Sequence, residues 1–123
     1  MTQIHPAPTQ TRLGTLDATI ASGQSLSAAV DLKGYTLAGV VMPAAWTAAN
    51  LTFQVSVDGT TFVDLYDDGG TEIAVTAVFS RGIRLDPALW SGFEKLKVRS
   101  GTTGVPVIQA AERAITLALR ALG

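Results

Sequence analysis

The chain has no cysteine and a single histidine, and these two gaps remove much of the usual chemistry. Without cysteine there is no disulfide, no thiolate nucleophile and no sulfur-ligated zinc site. His5 precedes Pro6 near the start of the chain, where nothing holds a catalytic base in a Ser-His-Asp geometry. Charge is scarce as well, 15% of 123 residues against about 25% in average soluble domains. The net charge of -1 withholds the attraction to phosphate on which nucleic-acid binders depend, and no Gly-rich loop is placed to cradle a nucleotide. No run approaches the roughly 18 apolar residues of a membrane span, and residues 1–14 lack the apolar segment of a signal peptide. Neither nucleic acid nor membrane is therefore an expected partner, and no cofactor or metal is implied.

What is present is a hydrophobic fraction of 47%, enough for one real core at a length typical of one domain. With so few charges, weakly polar surface must be covered by something, and self-association is the first expectation. The distribution sharpens this: Arg12, Asp17, Asp31, Lys33 and Asp58 are the only charges before residue 62, and the other fourteen follow. Interface centres are poor in charge, so the N-terminal half is the expected contact surface.

The pattern along the chain is short strands punctuated by turn residues. Residues 1–15 carry Pro6 and Pro8, little hydrophobicity and no periodicity, and read as an extended arm, the alternative being an unanchored terminus. Residues 16–123 form the predicted domain. Thr19–Ala21 and Leu26–Val30 read as neighbouring strands. Thr36–Met42 is apolar on both phases and halted by Pro43, which predicts a central strand. In Leu51–Val57 the apolar residues share one phase and Thr52, Gln54 and Ser56 the other, predicting one core face and one wet face. Asp58-Gly59 then marks a hairpin into Phe62–Tyr66. Glu72–Phe79 reads as a further strand, Ile83–Leu85 as a short one, and Asp86-Pro87 as the capped start of one helical turn. In Phe93–Ser100, Leu96 and Val98 oppose Lys95, Lys97 and Arg99, whose side is expected to face solvent. The last segment fits both periods; the run of strands before it favours a closing strand over a lone helix. The sum is an all-β chain, an antiparallel β-sandwich of jelly-roll type preceded by a short arm.

Few residues suggest chemistry. Asp64, Asp67, Asp68, Glu72, Glu94 and Glu112 could in principle supply a glycosidase pair, but acids in turns and on polar strand phases are ordinary. Asp67-Asp68-Gly69-Gly70 lacks the alternation and closing Glu of a calcium loop. Trp46 and Trp90 lie in or beside loops, where exposed rings would stack on sugars, although core packing is the commoner fate of such residues. Ile4, Pro6 and Pro8 of the arm are the expected interface residues, suited to lie along a neighbour's groove or sheet edge.

Five stretches carry a wider likeness: Val30-Asp31-Leu32-Lys33-Gly34-Tyr35, Gly39-Val40-Val41-Met42-Pro43-Ala44-Ala45-Trp46-Thr47, Leu51-Thr52-Phe53-Gln54-Val55-Ser56-Val57-Asp58-Gly59, Leu65-Tyr66-Asp67 and Leu96-Lys97-Val98-Arg99-Ser100-Gly101. This text resembles small structural virion proteins of tailed bacteriophages and of phage-like gene-transfer particles, over most of residues 20–120. The resemblance implies a non-enzymatic component of the particle surface, as capsid decoration, head fibre or spike, with a tail component as a variant. Its partners would be the major capsid protein or other virion proteins and further copies of itself. From a different class stands a carbohydrate-binding module that recognises a host-surface glycan through Trp46 or Trp90.

Overall fold

In the computed structural model, residues 13–121 are described, and they form two antiparallel four-stranded sheets packed face to face. The strands are β1 (Leu13–Ile20), β2 (Val30–Asp31), β3 (Tyr35–Val41), β4 (Leu51–Ser56), β5 (Val63–Asp64), β6 (Gly82–Arg84), β7 (Lys95–Ser100) and β8 (Arg113–Ala121). One sheet has the order β1-β8-β3-β6 and the other β2-β7-β4-β5. The pairing is nested: β1 with β8, β2 with β7, β3 with β6 and β4 with β5 are all hydrogen-bonded partners. It is the arrangement of one long hairpin folded over on itself, closed by the β3–β8 and β4–β7 ladders. Residues expected to be core are core: Leu37, Leu51, Phe53, Leu96, Val98, Ile115 and Leu117 are all fully buried.

Several local expectations are met for identifiable reasons. β3 lies between β8 and β6, and Pro43 follows its end as a residue that cannot donate to a ladder. β4 and β5 form the hairpin around Asp58-Gly59, with Gly59 at φ +84°. The Asp58 carboxylate accepts from the amides of Thr60 and Thr61, both at 2.8 Å, and from the Ser56 hydroxyl at 3.0 Å. Those donors hold its carboxyl far below the usual carboxylate range, the Thr61 and Thr60 amides most of all. Asp86 caps a 3₁₀ turn, Pro87–Trp90, by accepting from the Ala88 amide at 3.1 Å. The C-terminal segment is the strand β8.

Other expectations need correction. β1 begins at Leu13, so residues 13–15 belong to the sandwich and not to an arm; the remainder of that arm lies outside the described residues. β1 and β2 are not neighbours but sit in different sheets, because each pairs with a C-terminal strand. Glu72–Phe79 is not a strand. It is held at separate points, through a two-way backbone bond between Val75 and Leu51, a bond from the Ile73 amide to the Leu65 carbonyl, and a bridge between Tyr66 and Glu72. Asn50 also takes the Ala77 amide with its side chain, which removes a donor from any ladder. Finally, the polar face of β4 is not wet: Thr52 and Ser56 are buried.

Candidate functional site

The burial of Thr52 follows from Arg99, which stands directly opposite it on β7. Arg99 was expected to point into solvent, yet it is only 7% exposed. Its Nη2 donates to Asp64 Oδ1 at 2.5 Å, and its Nη1 to Thr103 Oγ1 at 2.8 Å, Thr52 Oγ1 at 3.3 Å and Glu72 Oε2 at 3.4 Å. Thr103 in turn donates its hydroxyl to Glu72, and Thr52 donates to the Gly101 carbonyl at 2.7 Å. One guanidinium thereby ties β7 to β5, to the segment carrying Glu72 and to the loop after β7. This geometry uses the fixed fork of arginine, which serves two carboxylates at once.

The same cluster brings two of the candidate acids together, Asp64 and Glu72, each accepting from the Arg99 guanidinium. The Arg99 hydrogen bond holds the Asp64 carboxyl below its ordinary value, against the opposing effect of burial. That direction keeps Asp64 ionised and is the reverse of what a general acid needs. Among the described residues no group of three or more His, Asp or Glu is placed to hold a metal ion.

The aromatic candidates are also accounted for. Trp90 is 1% exposed and packs edge-on against Phe53, ring centroids 4.4 Å apart, so it offers no surface for a sugar. Its position in the capped 3₁₀ turn folds it under the sandwich, which corrects the reading of Trp90 as a stacking residue. Trp46 is half-buried against the core, and its indole nitrogen donates to the Ala49 carbonyl at 3.0 Å. Beside it the fully buried Gln109 donates to the Thr47 carbonyl at 3.0 Å and to the Ser100 hydroxyl at 2.6 Å, and accepts from the Thr47 amide at 2.9 Å. That end of the sandwich is plugged by hydrogen bonds. Neither Arg99 nor Gln109 stood out in the sequence, because the partners that bury them lie up to 62 residues away in the chain.

Ile4, Pro6, Pro8 and His5 fall outside the described residues. The strand that follows them is described, and among the described residues one side of it has no backbone partner. Among the four sheet edges, β2 and β5 span two residues and β6 three, whereas β1 spans eight. β1 is bonded to β8 alone, and no other backbone hydrogen bond among the described residues involves residues 13–20. Natural sheets guard long edges with lysine, proline, bulges or a covering segment. Within Leu13–Ile20 there is no proline or lysine and a single charge, Asp17.

The outer face beside this edge mixes small side chains with Leu13, Val41, Arg84 and Arg120. Across the sheet run the rows Thr15, Ala118, Gly39, Arg84 and Asp17, Thr116, Val41, Gly82, with the Thr116 hydroxyl donating to Asp17 at 3.1 Å. On the inner side, a cavity of about 190 Å³ lies beside the first half of β1, lined by Gly14, Leu16, Leu32, Tyr35 and Leu119 among others. Comparison of the chain with family models, with curated proteins and with solved structures finds no match.

Proposed function

We propose that this chain is a non-enzymatic structural protein of a virus-like particle surface, a capsid decoration, head fibre or spike subunit that multimerises and docks on the shell through its N-terminal region. The observation that carries the reading is the edge of β1, an eight-residue strand that pairs only with β8 among the described residues and whose outward backbone donors and acceptors are open to further strand pairing. Both β1 and β3, which belong to the same sheet, come from the charge-poor half of the chain. Four of the five stretches that resemble phage virion proteins fall on β2, β3, β4 and β7 and their turns, and Leu65-Tyr66-Asp67 directly follows β5, so that likeness is one of framework. The nested strand pairing supports the jelly-roll reading of the sandwich, since four antiparallel pairs folded over as one hairpin give two four-stranded sheets of this kind. The carbohydrate-binding alternative loses Trp90 to the core and finds Trp46 tied down.

The test is location. Antibody raised against the recombinant chain should label the outside of intact particles released by the source cell, in electron micrographs and by co-sedimentation. A chain found only free in the cell, with particles of the same preparation unlabelled, would overturn the proposal.

A further inference from the structure

We infer that β1 pairs with β1 of a second copy of the chain, antiparallel about a twofold axis at Leu16, joining two four-stranded sheets into one continuous eight-stranded sheet. The inference rests on the reading that the chain multimerises, and names the surface and the register.

The occupant is a second copy because the edge is complementary to itself in one register. A twofold axis perpendicular to the sheet keeps both cores on the same side, so residues that face each other must share a phase of the strand. In β1 the even residues Gly14, Leu16, Ala18 and Ile20 point inward, with Ala18 and Ile20 fully buried, while Leu13, Thr15 and Asp17 are exposed. Only pairings of even with even and odd with odd are therefore allowed. Two of these overlap the strands most fully. Centring the axis on Asp17 places two carboxylates face to face, a destabilising arrangement. Centring it on Leu16 sets Asp17 of each copy opposite Thr15 of the other, where the threonine hydroxyl donates to the carboxylate. It also sets Leu13 opposite Thr19, Gly14 opposite Ala18 and Leu16 opposite itself. Ala18 of the second copy then stands beside Gly14, at the rim of the apolar cavity that Gly14 and Leu16 help to line. On the outer face the side chains meeting at the junction are Leu13, Thr15, Asp17 and Thr19, and the exposed Leu13 gains cover from Thr19 of the second copy.

The absence of native cysteine makes the register directly readable with single introduced thiols in the full chain. Leu16→Cys should oxidise to a covalent dimer, since the two thiols face each other, whereas Asp17→Cys should cross-link poorly. Because Leu16 is half-buried, exposed Thr15 supplies an independent measurement by sedimentation equilibrium. Thr15→Asp faces Asp17 of the second copy twice over and should raise the dimer dissociation constant roughly tenfold, while Thr15→Lys should leave it equal or lower. A chain that stays monomeric at its highest soluble concentration overturns the inference. An oligomer indifferent to both Thr15 substitutions and not trapped by Leu16→Cys also overturns it, while leaving the multimeric reading in place. Faster cross-linking of Asp17→Cys than of Leu16→Cys overturns the register.

Discussion

The two sheets are built to different degrees of completeness. In β2-β7-β4-β5 both edge strands are two residues long, and the outer face is closed by Arg99, which gathers Asp64, Glu72, Thr52 and Thr103. Lys97 adds a cation over the Phe62 ring at 4.4 Å on the same side. In β1-β8-β3-β6 the centre of the outer face is Thr15, Ala118, Gly39 and Thr116, and its longest edge, β1, pairs only with β8 among the described residues. Polar side chains in the first sheet are spent on one another. The backbone groups on the side of β1 away from β8 have no backbone partner among the described residues. The contrast lies in how charge is used, not in how much there is: Arg99 is buried against Asp64 and Glu72 in one sheet, whereas Asp17 and Arg120 of the other are exposed.

If the Arg99 cluster is what finishes its sheet, removing it should cost more than any change on β1. Arg99→Leu leaves two carboxylates facing each other without their cation. Loss of one partner from a fully buried pair costs roughly 3–5 kcal/mol, and with Asp64 28% exposed a loss of about 2 kcal/mol in urea unfolding is expected. Adding Asp64→Leu should recover part of that, as the double-mutant cycle will show. The cluster also predicts an acid response. Because the folded pKa of Asp64 lies below its ordinary value, its contribution is fully present above the unfolded pKa, about 4, and is lost as pH falls through the lower folded value. Stability of the wild type should therefore drop below about pH 4, with a shallower drop in Arg99→Leu. Equal slopes in the two proteins would remove the ion cluster from the account.

The next effect in size concerns the hairpin that carries β5 into that sheet. Gly59 adopts φ +84°, a region that a β-branched residue enters only with strain. A Cβ there would meet the Glu94 carboxylate at 2.9 Å, the tip of a side chain able to move, so the backbone sets the cost. Gly59→Val should lose about 1–2 kcal/mol and lower Tm by roughly 4–8 °C. An unchanged Tm would mean that the turn does not hold β5 in register.

How far this comparison was legible beforehand depends on the range of the interactions involved. β4, its Asp58-Gly59 turn, the Asp86 cap and the double-sided β3 were visible because each rests on residues a few positions apart. Arg99 looked like the third member of a basic strand face, and the three residues Lys95, Lys97 and Arg99 differ only in what lies above them. That cover comes from Asp64 and Glu72, 35 and 27 residues away, and no local pattern encodes it. Glu72–Phe79 had the composition of a strand, but its donors are met one at a time by Leu65, Leu51 and Asn50. The start of β1 is not legible in the sequence because Leu13-Gly14-Thr15 has a glycine in the middle and no second apolar residue before Leu16. Only its eight-residue ladder with β8 reveals it as a strand.

The smallest expected effect on stability lies at the junction of the arm with the bare edge. Every residue of the buried cluster lies at or beyond Ala18, and the ladder with β8 starts at Leu13. Deleting residues 2–12 removes no core side chain and no ladder bond among those described. The truncated chain should keep its strand circular dichroism and unfold within about 0.5 kcal/mol of the full chain, the range of changes that touch no core or network. If the chain is a particle component as proposed and the stretch with Ile4, Pro6 and Pro8 docks on a neighbour's groove or edge, incorporation into particles should fall. Added salt should alter that loss little, since Arg12 is the only charged side chain in the deleted stretch apart from any charge on His5. Loss of the folded domain would show that the arm stabilises its own sandwich. Full occupancy on the particle would leave docking to the sandwich alone. An increase in self-association on truncation would show that the arm lies along β1 in its own subunit, which would make it the missing guard of that edge.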